Sequence, residues 1–341
     1  MSLSAPAVAT AWDVTVDDVP VALSVAGDLV AIAGAGGGIW VHEVATGTEV
    51  AALGLPGGAL RVALAPDAGH LAVTGPTGYA LWRRENGRVS IADTTGWSST
   101  AAWADNDRVA VASGRRAVVV DCDGQQLWAT EPAASTVTDL AWMREGRRLA
   151  VAAYGAVRCH ERHSEAPVVT YPYVGSHLAL AIASTGRWIC SGNQDASIHI
   201  WRTRDGGELT MSGYPEKVTR LAFDDTGRWL AADGAPDVTV WDFAGTGPAG
   251  TAPRSLVAHD TIAALAWRPG PHGHLASGGD DGTIALWRAT TGQPAAPLRP
   301  AHTVPGDSAV TALAWDSLDL LISAQHNGRV RAHRLPSWAG L

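Results

Sequence analysis

Nitrogen and sulfur donors crowd together twice in this chain, as Cys159, His160 and His163 in CHERH and as His272 and His274 in PGPHGH. A bound metal ion would need three or four such donors converging on one point. Adjacent residues of a strand point to opposite faces, so Cys159 and His160 could not grip one ion without a bulge. His272 and His274 have no visible third ligand. Neither stretch has the multi-ligand spacing of a metal site, and none is expected. Three acid pairs, Asp17/Asp18, Asp224/Asp225 and Asp280/Asp281, could divide acid and base roles. Each lies in a turn-forming stretch, where an Asp carboxylate accepts from nearby backbone N–H groups. GAGGG at 34–38 has no helix after it and no Gly-Lys-Ser/Thr, so it reads as a tight loop rather than a phosphate cradle. There is no Gly-x-Ser-x-Gly elbow and no Cys/His context that identifies a nucleophile. The expectation is a non-catalytic protein without a cofactor.

The elements that would position these residues repeat. One pattern recurs about every 40 residues, and its clearest copy is IAALAWRPGPHGHLASGGDDGTIALWRATTGQ at 262–293. It reads as an alternating run ending in Ala-Trp, a turn, a run ending in Ala-Ser, a Gly/Asp loop and a run ending in Leu-Trp, followed by a weaker fourth strand. Other copies begin near Val21, Leu60, Ser99, Val137, His177, Val218 and Val310, which makes eight. No intervening segment holds a 3.6-residue period, so the class is all-β. Sheets of four short strands with two apolar faces need cover, and stacking them radially supplies it. The prediction is a β-propeller of four-stranded antiparallel blades, with eight blades, or seven if copy one or three is only a decorated connection. Copy eight ends at Arg334 with only LPSWAGL beyond it, whereas AVATAWDVTV at 7–16 alternates well. The N-terminal strand is therefore predicted to complete the last blade, and 1–341 to form one domain.

These residues resemble the WD40-repeat family along essentially the whole chain, in the manner of a stand-alone bacterial member. The resemblance implies a polar set in each blade, linking an early His, a Ser or Thr of the second strand, an Asp of the next loop and a Trp ending the third. His259, Ser277, Asp281 and Trp287 match it in copy seven, and His302, Ser323, Asn327 and His333 are the variant in copy eight. Such groups would satisfy one another's buried donors and acceptors. The Trp position holds Trp82, Trp201, Trp241 and Trp287, but His42, His160 and His333 elsewhere, and copy three offers Val120 or Asp121. Trp103, Trp142, Trp267 and Trp315 end first strands, where the resemblance implies blade-to-blade packing. Trp188 and Trp229 open second strands and are expected at a blade rim.

In propellers of this kind, the loops between second and third strands and between blades share one face, which is the usual binding surface. Here that face would carry Trp97, Tyr154, Tyr171, Tyr173 and Tyr214, with Arg115 and Arg116 beside them. Rigid amphipathic rings are good interface anchors, although rings that merely cap blade tops are the bland alternative. The function expected is an interaction scaffold for a protein or peptide, acting as a monomeric ring or as a subunit of a hetero-complex. The alternatives are a small-ligand- or metal-handling accessory protein and, behind it, an enzyme with a loop-built site. A net charge of −8 opposes a general affinity for nucleic acid. No stretch of about 20 apolar residues and no leader-like N-terminus suggests a membrane or export. Three cysteines without a CxxC pair fit a reducing, cytoplasmic setting. Arg supplies nearly all basic residues, with Lys217 the single Lys, a bias consistent with GC-rich bacterial coding.

Overall fold

The computed structural model describes residues 8–93, 97–316 and 320–335. Its strands assemble into eight sheets, one for each sequence repeat. The innermost strands are Pro20–Ala26, Arg61–Leu64, Ala101–Trp103, Val137–Met143, His177–Ile182, Leu221–Phe223, Ile262–Trp267 and Val310–Trp315. Copies one and three are therefore full blades, and the seven-bladed alternative falls. Within a blade each strand pairs antiparallel with the next, as short polar or Gly-containing turns dictate. Blade six departs from the four-stranded rule. Pro297–Leu298, from the connection inside blade seven, adds in parallel to its outer strand Arg254–Leu256.

The ring closes as predicted. Ala9–Thr15 pairs antiparallel with Arg329–Arg334 and forms the outer strand of blade eight. Two side chains of this strand hold it. The Trp12 indole N–H donates to the Val44 carbonyl of blade one at 2.7 Å, and Asp13 pairs with both Arg329 and Arg331. Ala7 and the tail at 336–341 lie outside the described residues.

The core lies between blades rather than within any one of them. Leu29, Ile39 and Val41 of blade one, for example, share a buried cluster with Leu71, Val73 and Trp82 of blade two. Full burial of each such aliphatic side chain contributes roughly 1.5–3 kcal/mol. The Trp that ends a first strand adds a directional link to the preceding blade. Trp103 donates to the Ala63 carbonyl at 2.8 Å, Trp142 to Ala102 at 2.9 Å, Trp267 to Ala222 at 2.9 Å and Trp315 to Ala266 at 3.0 Å. Each acceptor sits just before the corresponding aromatic or aliphatic position of the neighbouring blade. Trp188, expected at a rim, is fully buried against Phe243 of blade six. Trp229 lies under the Arg228 and Arg254 guanidinium groups. Among the described residues no helix is long and apolar enough to cross a membrane.

Candidate functional site

The polar sets come first, because they decide which polar and aromatic side chains are free to do anything else. In blade seven, Ser277 Oγ accepts from the Trp287 indole at 2.8 Å and lies 2.8 Å from His259 Nε2. The other nitrogen of His259, Nδ1, faces Asp281 at 3.5 Å, and Asp281 also accepts from the Thr283 backbone N–H. Burial lowers the basicity of His259, so the imidazole is neutral and Ser277 donates to Nε2. In blade eight, Ser323 and His333 Nε2 meet at 2.8 Å, while Asn327 accepts only from the Arg329 backbone within its own turn. His302 does not join them. It stands in the outer strand of blade seven, paired with Leu286, because the chain needs those residues to complete that blade. The position that matches His259 in blade eight is Asp307, which faces Arg329 and Arg331.

Register explains the tolerance at the Trp position. Trp82, Trp201, Trp241 and Trp287 pair with Leu71, Ile189, Leu230 and Leu275. His42, Val120, His160 and His333 pair with Val30, Val109, Leu149 and Leu321 in the same register. The pleat thus holds with or without an indole.

The aromatic residues of the predicted face divide into two groups. Tyr171 is only 5% exposed. It belongs to the outer strand Val169–Pro172, and its ring packs on Trp201 of the next blade, so it cannot contact a partner. Tyr173 and Tyr214 occupy one equivalent position, one residue earlier in the repeat than His259, and both turn inward. The Tyr173 hydroxyl bonds Asp195 and Ser197, with its ring on His199. The Tyr214 hydroxyl accepts from the Trp241 indole at 2.9 Å and meets Thr239 at 2.9 Å. Burial pushes the Tyr214 phenol up to about 12. In blade six, whose second strand carries Ala231 and Ala232 rather than a serine, this tyrosine does the work that Ser277 does for Trp287. Local spacing could not reveal the inward turn, since the partners lie on the next blade.

Trp97 and Tyr154 remain outside, 47% and 49% exposed. Val174, which sequence reasoning passed over because it is not aromatic, is 85% exposed in the same loop system. Its signal was a lone apolar residue in a Gly/Pro loop, TYPYVGSH. Backbone hydrogen bonds tie these loops side by side. Gly114 donates to the Trp97 carbonyl, Ala133 to Arg115, and Gly155 to Gly175, while the Tyr154 N–H donates to Ser135 Oγ. The result is one rim over blades three, four and five. Arg115 and Arg116 lie in the same turn and are exposed, their guanidinium groups donating to the Ala133 and Thr130 carbonyls. Neither has a carboxylate partner among the described residues.

The candidate metal stretches supply no such convergence. Cys159 packs into the apolar interface with blade five, and His160 Nδ1 faces the Ser164 carbonyl. His272 and His274 stack at 5.9 Å, and His274 meets the Arg268 guanidinium, a cation where a metal would have to sit. Among the described residues no three His, Cys, Asp or Glu side chains are placed to hold one ion.

The "WD domain, G-beta repeat" family model matches residues 168–202 and 250–288, the segments covering most of blades five and seven. The WD repeat-containing protein slp1 of Schizosaccharomyces pombe is 29% identical over 233 residues, 66% of this chain and 46% of that protein. The anaphase-promoting complex subunit cdc20 of Dictyostelium discoideum is 27% identical over 210 residues, 56% of this chain and 40% of that protein. The chain thus spans less than half the length of these curated relatives. The crystal structure of the computationally designed Ika8 protein superposes with a TM-score of 0.77, covering 94% of this chain and 98% of that one. At 22% identity that likeness speaks for the fold alone. Eight repeat-matched blades, the His259–Ser277–Trp287 set and the two matched repeats together place this chain among the WD40-repeat β-propellers.

Proposed function

We propose that this propeller is a non-catalytic interaction module that binds a protein or peptide segment on the loop rim over blades three to five. The observation that carries the reading is the exposure of Trp97, Tyr154 and Val174 on adjoining loops that backbone hydrogen bonds hold in place. Apolar side chains gathered on a rigid surface mark an interface, and large rings at its centre supply much of the binding energy. Arg115 and Arg116 favour a segment whose apolar residues are flanked by carboxylates, because each guanidinium retains donors that a carboxylate can take. The relative cdc20 is by its name a subunit of a multi-protein complex, which supports a protein partner here. Three unpaired thiols, Cys122, Cys159 and Cys190, support a reducing compartment, and we take the cytoplasm to be its place of work.

Affinity capture from the native host tests this. The wild-type chain is run beside the triple variant Trp97→Ala, Tyr154→Ala, Val174→Ser, whose side chains all face solvent. A protein held by the wild type and lost from a variant with unchanged thermal unfolding supports the rim. Equal retention by both removes it.

A further inference from the structure

Strand register places one residue from each blade in a single layer around the central channel. In blades one, five, seven and eight it is alanine, Ala22, Ala179, Ala264 and Ala312, paired with Ala33, Gly192, Gly278 and Ala324. The other four are Arg61, Thr100, Asp139 and Arg220. Arg61 and Asp139 pair with the corresponding Thr74 and Ala152, and Thr100 and Arg220 stand just before Ala101 and Leu221 in the same register. Blades two and six lie opposite one another in a ring of eight, so the two arginines approach from facing walls. Both line a cavity of about 310 Å³ together with Thr100, Thr138, Asp139 and Thr219.

Most of the donors on these arginines have nothing to hold. Arg61 reaches only the Leu60 carbonyl at 3.5 Å, and Arg220 only the Thr219 hydroxyl at 3.2 Å. Neither has a carboxylate hydrogen-bond partner among the described residues. Burial pushes Arg220 below its ordinary range; Asp233 opposes that shift, the Arg61 charge adds to it, and Asp280 opposes it. Asp139, the one acid lining the cavity, spends its carboxylate oxygens on the backbone N–H groups of Leu140 and Leu180. Four small alanines leave the space between the guanidinium groups open. The chain as a whole is acidic, at −8, so two facing cations in its channel run against the general charge.

We propose that the central channel is a binding site for a small, multiply charged oxyanion, clamped between Arg61 and Arg220 beside the Thr100 hydroxyl, since the Thr138 and Thr219 hydroxyls already donate to the Ala152 carbonyl and the Asp233 carboxylate. Paired guanidinium groups suit phosphate and carboxylate oxygens alike, through parallel N–H donors. The cavity admits a ligand the size of pyrophosphate or citrate and excludes a folded partner. This site is separate from the loop rim and does not depend on it.

Calorimetric titration of the full chain with pyrophosphate, and separately with citrate, tests the assignment. Saturable one-site binding is expected for at least one of them, and which one assigns the phosphate or the polycarboxylate class. Arg61→Gln and Arg220→Gln should each weaken it about tenfold or more, and Asp139→Asn should tighten it by removing the neighbouring negative charge. Arg61 is exposed to the channel, so its variant keeps the fold and decides the matter alone if the Arg220 variant does not fold. Absence of saturable binding of either anion to the wild type up to about 10 mM overturns the proposal. So does unchanged affinity in the folded Arg61→Gln protein.

Discussion

Ser277 tests whether the polar sets stabilise the blades or merely accompany them. Its hydroxyl accepts from Trp287, which is fully buried, and donates to His259, which is 6% exposed. Ser277→Ala removes one oxygen and leaves little void, so packing changes hardly enter. What it leaves is an indole donor and an imidazole acceptor, both without solvent. A buried group deprived of its partner costs about 1–3 kcal/mol, so with two such groups the substitution should cost roughly 2–6 kcal/mol. Ser323→Ala in blade eight removes only the link to His333 and should cost about 1–3 kcal/mol. Urea unfolding followed by tryptophan fluorescence and far-UV circular dichroism reads both, as shifts of midpoint at constant slope. The larger shift belongs to Ser277→Ala. A midpoint equal to that of the wild type would refute the argument that one hydroxyl satisfies two buried groups.

Three further outcomes follow from the same geometry. Trp12→Ala, at the closure of the ring, empties a site only 8% exposed and cuts the bond to Val44, for a loss of about 3–5 kcal/mol in a thermal or urea melt; a change under about 1 kcal/mol would mean that the N-terminal strand does not hold the ring shut. Tyr214→Phe strands the Trp241 indole and should lower stability by about 1–3 kcal/mol while leaving partner capture intact, whereas Tyr154→Ala should do the reverse; loss of capture with Tyr214→Phe would return that residue to the binding surface. Stability should also fall with acid. Burial holds His177 and His333 down to about 4, so the stability their neutral forms confer is complete above about 6.5 and is lost as the pH drops through 6.5 toward 4. Asp139, raised to about 6 by burial, acts in the opposite sense and recovers stability over the lower part of that window. The histidines outnumber it, so melting temperatures should drop between pH 6.5 and 4, and His333→Gln should flatten the profile. A level profile for the wild type would contradict the burial argument.

Alternation, turn residues and the repeat were enough to point to a ring of four-stranded antiparallel blades and to its closing strand, because each depends on local period and on the need to cover two apolar faces; the choice of eight blades over seven, and the fifth strand of blade six, were decided by the structure. The first-strand tryptophans, each of which does reach the preceding blade, were legible through the family resemblance, which implies blade-to-blade packing at their repeat position. Side-chain destinations were not. Tyr171, Tyr173 and Tyr214 sit in stretches that read like exposed loops, yet each ring or hydroxyl finds its partner on the following blade, at Trp201, at Ser197 in the turn before that strand, or at Trp241. His302 matched a motif by type but was claimed by the outer strand of blade seven. Arg61 and Arg220 are far apart in the chain and unremarked in any motif. Only closure of the ring sets them face to face, since the angle between blades two and six follows from the number of blades and not from anything near either residue.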